Sequence, residues 1–576
     1  MKKSFLLNAD GCYLHFPIKN TAGVYVNDKA YRYVKILNGN QLISEVYIKL
    51  SQTPDFYAPR YFKGYESITL ECEDEDVPES FFDGIKVGES MEKEKELYPQ
   101  LYSEKYRNQI HFSAGRGWLN DPNGLVYANQ KYHMYFQHNP LGTIHGGVNI
   151  SWGHATSTDG VCWKETHDAI YNRNAEQEVA SGSAWCDEKN LFGYGENVIF
   201  SAHTELNGCY FKSEKQPQTE GQFLMYSTDD GQTFVNLGKN PKIKVAEGEF
   251  WRDPKLLVID DTMLMLVYET FEKKDCVTVY ASKNLDDWEY KSRSMNLYEC
   301  PDLFLLPVKE TGEQKWILYG GDGSYSVCEF ENYHIKKEST CGFLDYGWAV
   351  YAGQTFNNHP EKDKRYHLAW VVHGWDNDLA DYEGKPFSQC MSLLCTLELH
   401  RTKGGYRLFR KPCEQLRKLR IQEQKGCFTI ENKHEMIVSD PCELAVIFQQ
   451  TKDFQLELGE CKLAYTANDN KVIVTGYSMQ YNKEKDKLEL VEDCKKNKEY
   501  FFSEIKAPVL DIFVDKTVTE IFMNEEISIT VPTISQEKRV IFTGQDLAAQ
   551  YVQYELHSIW NFSFEKYVKR MNQPIG

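Results

Sequence analysis

The sequence has no long hydrophobic run and no excess of positive charge. None of its apolar stretches approaches the ~18–20 residues needed to cross a bilayer. Its 65 Lys and Arg are outnumbered by 84 Asp and Glu, which leaves a net charge of -19. An acidic surface repels phosphate backbones and anionic lipid headgroups. We therefore expect no nucleic-acid partner and no membrane association.

Paired cysteine spacings are also missing. The 16 cysteines are scattered between Cys12 and Cys494 without a Cys-x-x-Cys pair. This disfavours a disulfide framework and a structural zinc site. Thiols within apolar runs are typical of a reducing compartment. The apolar run at the N-terminus spans only residues 5–7, against roughly 7–15 in a secretion signal, so we predict a cytoplasmic protein.

Several common catalytic motifs do not occur. The sequence has no Gly-rich loop ending in Lys-Ser/Thr, no Gly-x-Ser-x-Gly and no His-Glu-x-x-His. The crowded histidines at 133, 138, 145 and 154 lack the spacing of a helical ligand pair. No segment is typical of a βαβ unit, which disfavours dinucleotide-binding folds. We therefore predict no metal and no cofactor.

Alternating apolar and polar residues predict an all-β protein of about three domains. We place an N-terminal β domain at 1–105, a central domain at 106–415 and a C-terminal β-sandwich at 416–576. In the central domain, a short sequence phrase recurs at Ser157, Ser227 and Ser282: a serine, then a polar turn, then an aromatic residue. Radially repeated sheets of a β-propeller would give this pattern, and so would ordinary hairpins in a large β protein.

Three acids stand beside turn-forming and aromatic residues. Asp121 and Asp253 each precede a proline, and Glu299 precedes a Cys-Pro pair. Arg252 is expected to hold Asp253 ionised, whereas apolar neighbours are expected to raise the pKa of Glu299. A single acid of this kind often only caps its own turn. Three together favour sugar chemistry, because aromatic faces stack on sugars and two carboxylates suffice for glycoside hydrolysis.

These segments carry a resemblance to a known family. Residues 118–124 (Trp-Leu-Asn-Asp-Pro-Asn-Gly), 251–254 (Trp-Arg-Asp-Pro) and 299–300 (Glu-Cys) occur in the order found in glycoside hydrolase family 32, the β-fructofuranosidases. The resemblance implies a five-bladed β-propeller followed by a β-sandwich. It implies Asp121 as the nucleophile and Glu299 as the acid/base, with Asp253 as the stabiliser of the transition state.

The resemblance also implies a set of substrate-binding residues. Supporting phrases at 135–140, 152–155, 181–184 and 351–356 match the family as well. The matching sugar-binding positions are Trp118, Asn120, Gln137, Ser181, Arg252, Tyr351 and, more loosely, Trp375.

The sequence departs from the family around the expected sugar pocket. Residues 143–149 replace a segment in which many relatives carry a tryptophan, and Ala180 replaces a phenylalanine. Ala349 and Val350 replace an Asp-Phe pair. The domain at 1–105 is additional to the domains of a simple invertase. It could bind polysaccharide, form a homo-oligomer interface or brace the propeller.

The resemblance implies a retaining hydrolase that releases fructose from the non-reducing end of sucrose, fructo-oligosaccharides, inulin or levan. The sugar substrate is then the principal partner. Two alternatives stay open: a fructosyltransferase with the same three acids, and a fructan-binding protein without catalysis.

Overall fold

The computed structural model describes residues 1–19, 30–91, 93–207, 220–244, 251–373, 386–482, 487–503, 507–533 and 537–561. Within these ranges the chain is almost entirely β-structure, which confirms the all-β prediction. The helices there are short: α1 (Lys93–Leu97) and two 3-10 turns (Glu414–Leu419 and Cys494–Lys496). No helix in the described ranges is long and apolar enough to span a membrane.

The N-terminal part forms two small antiparallel sheets, ordered β1-β6-β3-β4 and β5-β2-β7. Their strands are β1 (Lys2–Leu6), β2 (Cys12–Ile18), β3 (Arg32–Asn38), β4 (Gln41–Ile48), β5 (Phe56–Phe62), β6 (Ser67–Glu71) and β7 (Lys86–Gly88). Alternate side chains of both sheets meet in one core that includes Leu14, Val34 and Ile68. Leu141, far along the chain, packs into the same core.

Five consecutive sheets follow, each built mainly from neighbouring antiparallel strands. The first two contain β8 (Gly117–Ala128), β9 (Lys131–Asn139), β10 (Ser151–Ser157), β11 (Lys164–Glu165), β12 (Gln177–Asp187), β13 (Val198–Asn207), β14 (Gly221–Ser227), β15 (Val235–Asn236) and β16 (Ile243–Lys244). The third and fourth contain β17 (Trp251–Ile259), β18 (Thr262–Phe271), β19 (Lys274–Ser282), β20 (Glu289–Met295), β21 (Asp302–Pro307), β22 (Gln314–Tyr319), β23 (Ser324–Glu331) and β24 (His334–Phe343). The fifth contains β25 (Val350–Thr355), β26 (Arg365–Val371), β28 (Cys390–Met391), β29 (Cys395–Thr402) and β30 (Gly405–Pro412), while β27 (Phe387–Ser388) joins the first sheet.

Successive sheets pack against each other, and the fifth returns to the first. Strand β8 contacts β12 and β25, and β12 contacts β17. Strand β27 pairs in parallel with β8, placing Phe387 opposite Gly117. The side chain of Asn357, two residues past β25, donates to the carbonyls of Ala184 in β12 and Leu256 in β17, which joins the fifth sheet to the second and third. The first strands therefore line the middle of a closed arrangement.

The repeated serine phrase lies at the same place in the first three sheets. Ser157, Ser227 and Ser282 each end the third strand of their sheet, and each hydroxyl accepts a backbone N–H from the turn that follows. The shared hydrogen bond explains why the phrase recurs, because a serine hydroxyl stabilises a tight turn locally.

The C-terminal part contains two six-stranded sheets with a common core and a separate two-stranded sheet. Its strands are β31 (Arg420–Ile430), β32 (Lys433–Ile437), β33 (Cys442–Phe448), β34 (Phe454–Leu458), β35 (Cys461–Thr466), β36 (Lys471–Val474), β37 (Tyr477–Asn482), β38 (Lys487–Glu492), β39 (Lys498–Phe501), β40 (Val509–Val514), β41 (Val518–Met523), β42 (Ile527–Pro532), β43 (Arg539–Gly544) and β44 (Leu547–Leu556). The sheets are ordered β31-β44-β33-β40-β41-β42 and β32-β43-β34-β35-β36-β39. Leu444 of one sheet and Leu456 of the other belong to the same buried cluster, as expected where two sheets pack face to face.

Polar contacts attach the N-terminal sheets to the first and second sheets of the central part. The Asn149 side chain pairs with both the backbone N–H and the carbonyl of Tyr47, each at 2.8 Å. The Ser44 hydroxyl donates to the Asn172 carbonyl at 2.6 Å. These contacts fix the segment just before β10 and the segment just before β12.

Candidate active site

The three predicted acids come together at the middle of the five sheets. Asp121 lies on β8, Asp253 on β17, and Glu299 three residues before the start of β21. The Cys300 thiol links the two aspartates, with Sγ 3.7 Å from Asp121 Oδ2 and 3.6 Å from Asp253 Oδ2. The Cys300 backbone N–H also donates to Asp253 Oδ2 at 3.2 Å. Residues separated by up to 179 positions therefore share one buried site.

Irregular backbone aims these groups into the site. The pairing of β8 with β9 shifts register between Leu119 and Pro122, and that of β17 with β18 between Arg252 and Lys255. Each Asp-Pro pair thus lies in a bulge, where proline's missing N–H does not break the ladder and the strand re-aims its side chains. Asp253 has a φ of 59° and Glu299 one of 45°, both in the left-handed region. Such conformations are uncommon outside glycine and concentrate at functional sites.

Asp121 is held by a chain of predicted sugar-binding residues. Ser181 Oγ donates to Asp121 Oδ2 at 2.6 Å, and Asn120 Nδ2 to Oδ1 at 3.2 Å. Asn120 in turn donates to Gln137 Oε1 at 2.5 Å and accepts from Trp118 Nε1 at 2.8 Å. Trp118 is fully buried, so in this structure its indole orients Asn120 and its ring faces are not open to a sugar.

Both oxygens of Glu299 are hydrogen-bonded. Arg252 Nη2 donates to Oε1 and the Tyr351 hydroxyl donates to Oε2. The Arg252 guanidinium also lies over the Tyr268 ring, 5.1 Å from its centroid, and its Nε is 3.5 Å from Asp253 Oδ2. The surroundings of Glu299 are therefore more polar than its sequence neighbours predict, because the arginine and tyrosine arrive from other strands.

Burial sets the protonation of the site. It raises the pKa of Asp253 to about 6, with the nearby Arg252 lowering that pKa and the Asp121 charge raising it. Arg252 acts in the expected direction, since it favours the ionised form of Asp253, but burial has the larger effect on this pKa. Burial also raises the pKa of Asp121, although Ser181 opposes it by hydrogen bonding. The pKa of the Cys300 thiol lies well above its ordinary value, so it stays protonated and can donate.

The part of the chain that holds the site matches a known family. The model of the "Glycosyl hydrolases family 32 N-terminal domain" matches residues 111–412, which hold all three acids. The chain belongs to glycosyl hydrolases family 32.

Curated relatives of this family 32 chain carry names of fructan- and sucrose-cleaving enzymes. The levanase of Bacillus subtilis is 28% identical over 460 residues, which cover 74% of this chain and 65% of the levanase. The extracellular exo-inulinase of Aspergillus niger is 27% identical over 540 residues, covering 80% of this chain and 96% of the inulinase. An invertase of Wickerhamomyces anomalus is 29% identical over 407 residues, covering 65% and 72%.

Solved structures support the fold of the family 32 chain. The exo-inulinase of Aspergillus awamori superposes with a TM-score of 0.66 at 22% identity, covering 80% of this chain and all of that one. The sucrose-6-phosphate hydrolase of Lactobacillus gasseri gives 0.63 at 21% identity, covering 81% and 96%. At these identities the likeness concerns the fold alone.

Of the site residues predicted from sequence, Trp375 alone lies outside the described residues. The others form the connected set just described. Two contributors were missed. The Cys300 thiol was present in the Glu-Cys motif but was given no function, and Thr204 Oγ1, which accepts the Asp253 N–H at 3.0 Å, follows no recognisable motif. Among the described residues, no group of three His, Cys, Asp or Glu side chains is arranged to hold a metal ion.

Proposed function

We propose that this family 32 chain is a retaining β-fructofuranosidase. It releases fructose from the non-reducing end of sucrose, fructo-oligosaccharides, inulin or levan. The observation that supports this most directly is the shared site of Asp121, Asp253 and Glu299, tied together through Cys300 and Arg252. The relatives named levanase, exo-inulinase and invertase support the substrate class.

In the first step Asp121 attacks the anomeric carbon of the terminal fructosyl unit. The bond to the leaving oxygen breaks while Glu299 gives that oxygen a proton, so a fructosyl-enzyme ester and a free sugar result. Ser181 and Asn120 hold the Asp121 carboxylate by two hydrogen bonds, which fixes its direction of attack. A retaining pair of this kind operates at about 5–5.5 Å between carboxyl groups.

In the second step water replaces the leaving sugar. Glu299, now ionised, takes a proton from the water as its oxygen attacks the anomeric carbon and the bond to Asp121 breaks. Arg252 and Tyr351 hold Glu299 through both steps. Fructose leaves with its anomeric configuration retained, and both carboxyl groups return to their starting forms.

Asp253 acts on charge that develops between these states. Positive charge grows on the fructosyl ring as the bond to the leaving group stretches. An ionised carboxylate within hydrogen-bonding reach of the ring hydroxyls stabilises the transition state more than the ground state. This difference raises kcat. The bulge at Asp253 and its contacts with Cys300 fix this carboxylate beside Asp121.

We further propose the domain organisation and location that the sequence predicts. Residues 106–415 form a five-bladed β-propeller, with one blade for each of the five sheets, and 416–576 form a β-sandwich. Residues 1–105 form an accessory β domain. The protein acts in the cytoplasm on imported sugars. The five successive sheets and the two packed six-stranded sheets support this division.

Product analysis tests the function. Incubation with sucrose is expected to give equal amounts of glucose and fructose, and with 1-kestose, inulin or levan to give free fructose from the first minutes. Chromatography of the products from concentrated sucrose separates the alternatives. Oligosaccharides longer than sucrose, outnumbering free fructose, would identify a fructosyltransferase. Binding of fructan without any product would identify a binding protein.

The acidic side of the pH profile is expected to follow Asp253. This group stabilises the transition state only when ionised, and its pKa is about 6 because of burial. We therefore expect kcat/KM to fall as the pH drops through about 6 rather than near 4, where an ordinary aspartate protonates. In Asp253→Asn, the remaining activity should lose this midpoint. A wild-type profile that is flat from pH 7 to 5 would contradict this assignment.

A further inference from the structure

One buried carboxylate near the site has no function in the mechanism above. Glu178 lies on β12, three residues before Ser181, and only 5% of it is exposed. Its Oε1 has no hydrogen-bond partner among the described residues. A buried polar atom without a partner is unfavourable by roughly 1–3 kcal/mol. Because Glu178 shares β12 with Ser181, which holds Asp121, a ligand of that site can supply the missing partner.

Glu178 lies within electrostatic reach of the acid/base side of the site. Burial raises the pKa of its carboxyl group, and the neighbouring His145 and Arg252 side chains oppose that rise. Arg252 is the residue that holds Glu299. Because Glu299 protonates the leaving oxygen in the proposed function, the sugar that departs must lie on this side.

His145 supplies a complementary donor. Its ring packs edge-on against Trp118, with 6.2 Å between ring centroids, and Trp118 in turn donates to Asn120 beside Asp121. Its Nδ1 accepts the Gly147 N–H at 3.3 Å, which places the ring hydrogen on Nε2. A carboxylate acceptor and an imidazole donor match the two hydrogen-bonding capacities of a sugar hydroxyl.

The pair is held by the N-terminal sheets. Tyr31 forms a buried cluster with Ile144 and Val148 on either side of His145. On the other segment, the Tyr33 hydroxyl donates to Glu176 Oε1 at 2.6 Å, two residues before Glu178. The 1–105 segment thus braces the two backbone segments that carry these side chains, and a preorganised pair binds a ligand at lower entropic cost.

We propose that Glu178 and His145 bind hydroxyl groups of the leaving sugar and select for neutral leaving sugars. This inference rests on the proposed function. The carboxylate favours polyhydroxylated groups as hydrogen-bond donors and disfavours a leaving sugar that carries a phosphate, because like charges repel. The N-terminal sheets accordingly contribute to substrate selection by positioning this pair.

The test compares two substrates that share the fructosyl unit. In Glu178→Gln, kcat/KM for sucrose is expected to fall about 10-fold. This factor corresponds to the free energy of one hydrogen bond to a charged group. For methyl β-fructofuranoside, which has no leaving sugar, the change is expected to stay within about twofold. Equal losses on the two substrates, or no loss on sucrose, would overturn the proposal while leaving the proposed function standing.

Glu205→Gln is the matched control. Glu205 is another buried carboxylate in the same sheet, but Arg173 already pairs with it. In this variant, kcat/KM is expected to change by the same factor for sucrose and for methyl β-fructofuranoside. Thermal unfolding of both variants checks the fold. Glu178→Gln should be at least as stable as the wild type, since burial raises the pKa of Glu178 and the substitution removes a buried charge. If the wild type cleaves neither substrate, the proposed function itself fails.

A second measurement uses sucrose 6-phosphate, whose leaving sugar is anionic. The wild-type enzyme is expected to prefer sucrose by about 10-fold or more, and Glu178→Gln to narrow that preference. An unchanged preference in the variant would remove Glu178 from substrate selection, even if the variant's stability had altered.

Discussion

Asp121→Asn is expected to lower kcat on sucrose by about 10⁴-fold or more while the protein stays folded. The variant keeps the shape of the side chain but removes the nucleophilic oxygen, so no fructosyl-enzyme ester can form. Losing the nucleophile of a cooperating set removes most of the catalysis that the set provides. Steady-state release of fructose, measured with enough enzyme to detect residual turnover, gives the magnitude.

The folded state of Asp121→Asn follows from its surroundings. The amide keeps an acceptor for Ser181, whose hydroxyl now donates to Asp121 Oδ2 at 2.6 Å. Burial raises the pKa of Asp121, so its charge is unfavourable in the fold and removing it should not lower the free energy of unfolding. Substrate binding should therefore persist and be measurable by calorimetry.

Asp187→Asn provides the contrast for this variant. Asp187 is also buried, at the end of β12, but its carboxylate accepts the backbone N–H groups of Leu191 and Phe192. Its substitution is expected to lower the melting temperature and leave kcat near the wild-type value. Turnover by Asp121→Asn within about 10-fold of wild type would exclude Asp121 as the nucleophile.

The irregular backbone at the two aspartates could be predicted because an Asp-Pro pair is a local signal. An aspartate before proline predicts a turn or an extended segment, and both Asp-Pro pairs lie in bulges of strands. The all-β fold was accessible for a similar reason, since period-two alternation is a local signal. These inferences need no knowledge of which strands become neighbours.

Contacts between distant segments were not accessible in this way. Tyr31 packs beside Ile144, and Asn149 pairs with the Tyr47 backbone, across about a hundred residues without a shared pattern. The residue type of Trp118 likewise does not show that its ring is buried. Its ring packs against that of Trp370, with 6.0 Å between the centroids, and Trp370 is distant in the sequence. The resemblance to family 32 located the acids, whereas their hydrogen-bonding partners required coordinates.

Glu299→Gln is expected to lower kcat/KM on sucrose by roughly 10³-fold or more, and part of that loss should be recovered on a fructoside with a good leaving group. Sucrose needs a proton on the departing oxygen, which glutamine cannot give. An activated aryl fructoside departs as a stable anion, so its first step needs no acid. That first step is measured alone by single-turnover release of the aryl group from the substrate, with the wild type, Glu299→Gln and Asp121→Asn compared.

The pattern across leaving groups separates an acid from a positioning residue. Arg252 and Tyr351 contact both oxygens of Glu299, and the glutamine side chain can keep one acceptor and offer one donor to them, so the pocket should retain its shape. Asp121→Asn should show no such recovery, because attack on the anomeric carbon is required whatever departs. If Glu299→Gln were equally slow on sucrose and on the aryl fructoside, proton donation would have to come from another group, and Glu299 would only hold Arg252 in place.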